Sequence, residues 1–130
     1  MNYSILVAED EPGIATSLQF LMQQFDSDVR VAYDGPTAIE MVSAKTPDLL
    51  LLDIMMPGFD GFEVLNRLRS NQDWCDIGVM VLSAKGHDVD REKALQLGVV
   101  DYITKPFATR ELVQKVKDFL TGNRLASGAG

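Results

Sequence analysis

Cysteine, long apolar runs and positive charge are all scarce in this chain of 130 residues. Cys75 is the sole cysteine, so no disulfide can form within the chain, and we expect a reducing, cytoplasmic location. No apolar run approaches the roughly 18 residues that cross a bilayer, and the N-terminus lacks the features of a signal peptide. The net charge of −7 argues against nonspecific binding to nucleic acid or to an anionic membrane.

The remaining composition is that of one folded domain. Hydrophobic residues make up 46% of the chain and charged residues 24%, the balance of a globular protein. The length suffices for one core and is too short for two. We assign residues 1–121 to the domain and expect 122–130, a small and polar stretch, to be a disordered tail, a linker or a remnant of expression.

Short apolar segments alternate with amphipathic segments five times. The strand-like segments lie at 4–8, 29–32, 49–52, 78–82 and 99–103. Helical periodicity covers 11–25, 35–45, 61–71, 89–97 and 109–120. Crossovers of this length join parallel strands, and nearly continuous apolar runs are typical of strands buried on both faces. The sequence therefore predicts an α/β fold with a five-stranded parallel sheet between two layers of helices.

Charged and hydroxyl side chains follow four of the strand-like segments. Those residues are Glu9, Asp10 and Glu11 after the first segment, Asp53 after the third, Ser83 after the fourth, where Ala84 follows it, and Lys105 after the fifth. Open parallel sheets bind ligands beyond the carboxyl ends of their strands. We therefore expect these side chains to meet at one edge of the sheet.

A cluster of carboxylates at that edge would be repulsive without a cation. Oxygen ligands without histidine or a second cysteine favour Mg²⁺ over zinc, and Mg²⁺ often shares its shell with a phosphate. Lys105 would then supply a positive charge and Ser83 a hydroxyl to phosphoryl oxygens. Taken alone, Asp53 could be a turn residue and Glu11 an acid at a helix start. Only their convergence favours phosphoryl chemistry, in which a carboxylate can itself accept the phosphoryl group.

Four segments resemble a known family. ILVAEDEP, LLLLDIMMPGFDGFEVL, VLSAK and DYITKPF are similar to the successive signatures of response-regulator receiver domains of two-component signalling, and the resemblance spans residues 4–121. The spacing agrees, since 30 residues separate Asp53 from Ser83 and 52 separate Asp53 from Lys105. The resemblance implies a flavodoxin-like sheet of strand order 2-1-3-4-5.

The resemblance also implies a phosphoacceptor and a metal site. Asp53 is the expected phosphoacceptor. Mg²⁺, with Mn²⁺ as an alternative, is expected on Asp10 directly, on Glu9 through water, on Asp53 and on the backbone carbonyl of Met55. Met55 and Lys85 occupy the two positions that tune phosphate lifetime in the family. Because a thioether aligns an attacking water poorly, we expect the phosphoaspartate to decay slowly.

A phosphate-binding set and a switch follow from the same resemblance. Ser83, Ala84 and Lys105 are expected to bind the phosphoryl group, and the bond from Lys105 to Pro106 is expected to be cis. On phosphorylation Ser83 would move toward the phosphoryl oxygens and the ring of Tyr102 would turn into the vacated space. The fourth helix, fifth strand and fifth helix would then present an altered surface to a partner.

The predicted function is therefore a signalling switch that catalyses its own phosphorylation and slow dephosphorylation, not a turnover enzyme. The expected donor is a sensor histidine kinase, a phosphotransfer protein or a small acyl phosphate. We expect the protein donors to dock on the first helix around Ile14 and Ala15 and on the loop after Lys105. The effector or output domain is not encoded in these residues, and a homodimer through the face of the fourth helix, fifth strand and fifth helix is compatible with them. Direct contacts of this domain with nucleic acid or membrane are not expected.

Three other functions fit the sequence less well. An aspartate-nucleophile phosphohydrolase needs a general acid two residues after its nucleophile, where this chain has Met55. A flavodoxin-like electron carrier needs a loop that cradles phosphate after the first strand, where AEDEP is anionic. A degenerate receiver that only binds partners would lack part of the site, whereas every expected part is in this sequence.

Overall fold

The computed structural model describes residues 3–56, 60–84 and 88–122. Five strands alternate with five helices in these residues. The strands are β1 (Tyr3–Ala8), β2 (Ser27–Ala32), β3 (Leu49–Asp53), β4 (Gly78–Ser83) and β5 (Asp101–Thr104). The helices are α1 (Pro12–Met22), α2 (Gly35–Ala44), α3 (Gly61–Ser70), α4 (Asp88–Gln96) and α5 (Thr109–Thr121). The predicted tail beyond Gly122, and Lys85, lie outside the described residues.

The strands form one parallel sheet in the order β2-β1-β3-β4-β5. Ala8 at the end of β1 lies beside Leu52 of β3, and Asp53 lies beside Leu82 of β4. Ser83 at the end of β4 lies beside Thr104 of β5. The predicted α/β class, strand order and flavodoxin-like topology are confirmed, and the register aligns the carboxyl ends of four strands at one edge.

The four leucines of β3 are buried because this central strand is covered on both faces. Leu50 and Leu52 pack in a core that includes residues of α2, α3 and α4. Leu49 and Leu51 pack in the opposite core, which α1 and α5 cover. Alternate side chains of a strand point to opposite faces, so a continuous apolar run fits both cores at once.

Hydrogen bonds at the end of α4 account for the later start of β5. Val99 was expected in the last strand, but its N–H donates to the carbonyl of Ala94 (3.4 Å) and closes the end of α4. Val100 donates to Val79 (2.7 Å), and β5 itself begins at Asp101. The first helix ends at Met22, three residues before the predicted end.

Two helix starts are capped by an aspartate. Asp34 Oδ1 accepts a hydrogen bond from the N–H of Thr37 (2.7 Å) at the start of α2. Asp60 Oδ1 accepts one from the N–H of Glu63 (3.0 Å) at the start of α3. These bonds satisfy amides that have no partner within the helix. In the part of the chain that the structure describes, no helix combines the length and apolar character of a membrane span.

Candidate functional site

Three carboxylates meet at the carboxyl edge of the sheet. Glu9 and Asp10 follow β1, and Asp53 is the last residue of the neighbouring strand β3. One oxygen of each of the three carboxylates lies within 4.8 Å of the others. Glu9 is 1% exposed and Asp53 3% exposed, whereas Asp10 faces solvent. Two buried acids and one exposed acid thus form a cluster that opens to one side.

A tight turn after β3 holds the Asp53 side chain. Asp53 Oδ1 accepts a hydrogen bond from the N–H of Met55 at 3.0 Å. The N–H of Gly61, at the start of α3, donates to the carbonyl of Ile54 at 2.8 Å. A Cβ on Gly61 would lie 2.6 Å from the Cα of Ile54 and 2.8 Å from the carbonyl oxygen of Asp53, so only glycine fits there without displacing the backbone. The first turn of α3 therefore supports the turn that carries Asp53.

Lys105, which follows the edge strand β5, adds a positive charge to the cluster. Its Nζ lies 2.5 Å from Glu9 Oε1 and 3.4 Å from Asp53 Oδ2. The backbone N–H of Lys105 donates to the carbonyl of Ser83 at 2.7 Å, which extends the β4–β5 pairing to this residue. The bond between Lys105 and Pro106 is cis. The ammonium group therefore lies against both buried carboxylates.

Glu9 is the acid whose ionisation this environment opposes. Burial raises the pKa of Glu9, and the neighbouring charge of Asp53 adds to that rise. The ammonium of Lys105 and the N–H of Glu11, which donates to Glu9 Oε2 at 3.1 Å, act in the opposite direction without cancelling it. The cluster therefore favours cations, which relieve the cost of keeping Glu9 charged.

The three carboxylates fit a hard divalent cation. Each can supply one oxygen, and oxygen donors without sulfur or imidazole suit Mg²⁺ or Mn²⁺. Met55 lies directly beside the cluster through its N–H bond to Asp53, and its side chain is half exposed. The role of its carbonyl as a ligand stays a prediction.

The other predicted site residues lie around this cluster. Ser83 ends β4, next to β3 in the sheet, and is fully buried. Ala84 is exposed and lines, with Lys105, a cavity of about 680 Å³ that extends along α1. Tyr102 lies beside Val81 of β4 and is buried in the core shared with α2, α3 and α4. The structure thus places Ser83 at the same edge as Asp53, with the Tyr102 ring inside the domain.

The sequence of this chain matches a known protein family. The family model described as the response regulator receiver domain matches residues 5–117. This chain belongs to the response regulator receiver domain family.

Solved receiver structures agree over nearly the whole length. The receiver domain of response regulator 1452 of Francisella is 32% identical, with a TM-score of 0.85 and coverage of 94% of this chain and 99% of that one. The receiver domain of a signal transduction histidine kinase from Syntrophus aciditrophicus is 30% identical, with a TM-score of 0.83 and coverage of 92% and 91%. The Mn²⁺-bound form of response regulator Rcp1 is 27% identical, with a TM-score of 0.81 and coverage of 91% and 94%.

Membership settles the general class of function. Receiver domains belong to two-component signalling and generally act as phosphorylation switches, not as turnover enzymes. They bind a divalent metal at an acidic pocket and interact with histidine kinases and output domains. This receiver domain has an acidic cluster of Glu9, Asp10 and Asp53 at the carboxyl edge of its sheet.

The sequence analysis missed two contributors to this pocket. The backbone N–H of Glu11, and not its side chain, donates a hydrogen bond to one carboxylate oxygen of Glu9. Gly61 leaves the room that the turn after Asp53 requires. The pair Asp60-Gly61 signals a turn in the sequence, but the close approach of two backbones depends on where α3 packs.

Proposed function

We propose that this receiver domain accepts a phosphoryl group on Asp53, in a Mg²⁺-dependent reaction, from a sensor histidine kinase, a phosphotransfer protein or a small acyl phosphate. The observation that supports this most strongly is the meeting of Glu9, Asp10 and Asp53 within 4.8 Å, with the ammonium of Lys105 3.4 Å from Asp53. A buried nucleophile, a metal-binding set and a positive charge for phosphoryl oxygens are the parts that phosphoryl transfer needs.

The transfer step follows from the orientation of Asp53. An oxygen of its carboxylate forms a bond to phosphorus while the bond from phosphorus to the donor nitrogen or oxygen breaks, and the donor keeps that electron pair. The N–H of Met55 holds Oδ1 and the ammonium of Lys105 lies on the side of Oδ2. The carboxylate is therefore held in one orientation before the donor arrives, which lowers the entropic cost of the reaction.

For the metal we propose the ligands that the family resemblance implies. Asp10 and Asp53 would bind Mg²⁺ directly, Glu9 through water, and Met55 through its carbonyl, with Mn²⁺ as an alternative ion. When bound, the ion neutralises negative charge on the phosphoryl oxygens. Lys105 would move part of its interaction from Glu9 to the phosphoryl group, because it already lies within reach of both acids.

The switch residues connect Asp53 with a surface. Ser83, buried at the end of β4, would turn its hydroxyl toward the phosphoryl oxygens, and Ala84 would supply its backbone N–H. Tyr102, on the adjacent strand, would adjust its packing in response. The face of α4, β5 and α5 then changes for an effector, an output domain or a second copy of the chain.

Two properties of the protein complete the proposal. Met55 beside Asp53 offers a thioether where a polar group could align water, so self-dephosphorylation is slow. Decay of the isolated phosphoprotein in Mg²⁺ measures this, and a half-life of seconds would contradict it. A cytoplasmic location suits a chain with one cysteine and a kinase as donor.

Intact-mass spectrometry tests the central step. With Mg²⁺ and acetyl phosphate the mass should rise by one phosphoryl group, and a chelator should prevent the rise. Asp53→Asn should abolish it, because the amide is not a nucleophile for this reaction. Asp28→Asn is the matched control, since Asp28 pairs with Lys45 at the opposite end of the sheet and should leave phosphorylation unchanged. A wild-type chain that gains no mass, or an Asp53→Asn chain that does, would overturn the proposal.

A further inference from the structure

Helix α4 is attached to the domain mainly through its second half. Among its described side chains Ala94 is fully buried, whereas Val89 in the first half is 76% exposed. The ammonium of Lys93 lies 4.2 Å from the centre of the Phe62 ring, which belongs to α3. The first half of α4 thus contributes little to the core, so few contacts oppose its displacement.

Arg69, near the end of α3, holds the two residues that directly follow the C-terminal end of α4. Its Nε donates to the carbonyl of Leu97 at 2.6 Å, and its Nη2 donates to the carbonyl of Gly98 at 3.2 Å. Its Nη1 donates to the carbonyls of Cys75 and Ile77, each at 3.0 Å. One guanidinium group therefore ties the end of α4 to the loop between α3 and β4 with four charge-assisted hydrogen bonds.

The end of α4 is suited to such a cation. The carbonyls of Leu97 and Gly98 come directly after α4, close to the negative end of the helix dipole. The chain reverses at Gly98, where φ is +75°, and the N–H of Gly98 donates to the carbonyl of Leu95 at 3.0 Å. Burial lowers the pKa of Arg69, as expected when a charge is taken from water into these contacts.

We propose that Arg69 makes the C-terminal end of α4 a fixed hinge, so that the signal from Asp53 moves the N-terminal end of the helix about that point. This inference rests on the proposed function for the signal itself. The N-terminal end of α4 comes soon after Ser83 in the chain, whereas the opposite end is held by Arg69. Arg69 is thus a positioning residue for the face formed by α4, β5 and α5, and it takes no part in phosphoryl transfer.

Amide hydrogen exchange of the full chain without phosphodonor tests the hinge itself. Arg69→Met keeps a side chain of similar length and removes every donor. The substitution removes charge-assisted hydrogen bonds. Hydrogen exchange of the amides of Leu97, Gly98 and Val99 should therefore become about tenfold faster relative to the amides of β3. Arg67→Met is the matched control, since Arg67 lies on the same helix in an exposed pair with Glu63. It should leave those amides unchanged.

The same measurement with beryllofluoride or acetyl phosphate tests the use of the hinge. In the wild type the change on activation should be confined to the first half of α4. In Arg69→Met it should extend through 97–99, while the rate of phosphorylation at Asp53 stays the same. Arg69→Lys, which keeps the charge without the fork of donors, should give an intermediate result and serves if Arg69→Met does not fold.

Two results would overturn the inference. One is exchange at 97–99 that Arg69→Met accelerates no more than Arg67→Met or no more than the amides of β3. The other is an activation change that is already spread over the whole of α4 in the wild type. A wild-type chain that gains no phosphoryl group would overturn the proposed function instead, and exchange without phosphodonor would still decide whether Arg69 holds α4.

Discussion

Replacing Lys105 by methionine should destabilise the domain when no divalent metal is present. The Lys105 ammonium lies 2.5 Å from Glu9 Oε1 and 3.4 Å from Asp53 Oδ2, and the lysine side chain is only 15% exposed. Methionine occupies a similar volume but offers no charge. The variant therefore leaves two buried carboxylates facing each other, with the charge of Asp10 close by.

The size of the effect follows from the burial of the three partners. Removing one member of a buried ion pair costs about 3–5 kcal/mol because the other member stays charged and desolvated. Two features reduce that figure here. The site lies at the edge of the sheet, and Glu9, whose pKa burial raises, can take up a proton when the lysine is gone. We therefore expect a loss of about 2–4 kcal/mol from the free energy of unfolding, a large share of the roughly 5–15 kcal/mol of a typical domain.

Urea unfolding in the presence of a chelator, followed by circular dichroism, measures this loss. Lys45→Met is the control, because Lys45 forms an exposed pair with Asp28 at 3.2 Å and should change stability by no more than about 0.5 kcal/mol. Added Mg²⁺ should stabilise Lys105→Met more than the wild type, since a cation on the acids replaces the lost positive charge. A loss as small as that of Lys45→Met would refute the reasoning, and so would equal stabilisation of both chains by Mg²⁺.

Three further changes should have distinct effects. Gly61→Ala should lower the free energy of unfolding by about 1–3 kcal/mol and slow phosphorylation, because its Cβ would lie 2.6 Å from the Cα of Ile54. Gly13→Ala is the control: its Cβ would have its nearest contact at 3.6 Å, so the same urea titration should show no comparable loss. Leu51→Ala should lower the free energy of unfolding by about 3–5 kcal/mol, because this fully buried side chain would leave a cavity; a smaller loss would mean that the core collapses around it. Asp34→Ala should destabilise the domain at neutral pH, and its difference in stability from the wild type should shrink in acid. The reason is that hydrogen bonds from Thr37 lower the folded-state pKa of Asp34. The stabilisation by Asp34 is therefore present above its unfolded-state pKa and is lost as the pH falls through the folded-state pKa. Urea midpoints across an acid pH series check this, and a constant difference would contradict it.

The periodicity of the sequence located every strand and helix of the described fold, but not their ends. The leucines at 49–52 predicted a strand covered on both faces, and the structure shows that strand at the centre of the sheet. The ends were less accurate because they depend on individual hydrogen bonds. The N–H of Val99, apolar and β-branched like a strand residue, bonds back to the end of α4. Strand order came from the family resemblance, since alternation of strands and helices is compatible with several orders.

The sequence predicted which residues form the candidate site, but not the distances between their side chains. Parallel strands must bring their carboxyl ends to one edge, so Glu9, Asp53, Ser83 and Lys105 were expected at the same edge. The strand order decided which of them are neighbours. The sequence did not indicate that Lys105 would lie closer to Glu9 than to Asp53, since that choice depends on the relative burial and spacing of two carboxylates.

What the sequence determined by itself is local chemistry: which segments are apolar on two faces and which of them end in acids. These follow from contacts between residues a few positions apart. Only the tertiary structure decided the contacts of Arg69 with four carbonyls of two separate loops, and the space at Gly61 that no Cβ can occupy. The physical reason is that such contacts join segments distant in the chain, whose separation is set to within a few tenths of an ångström by the packing of whole helices on the sheet.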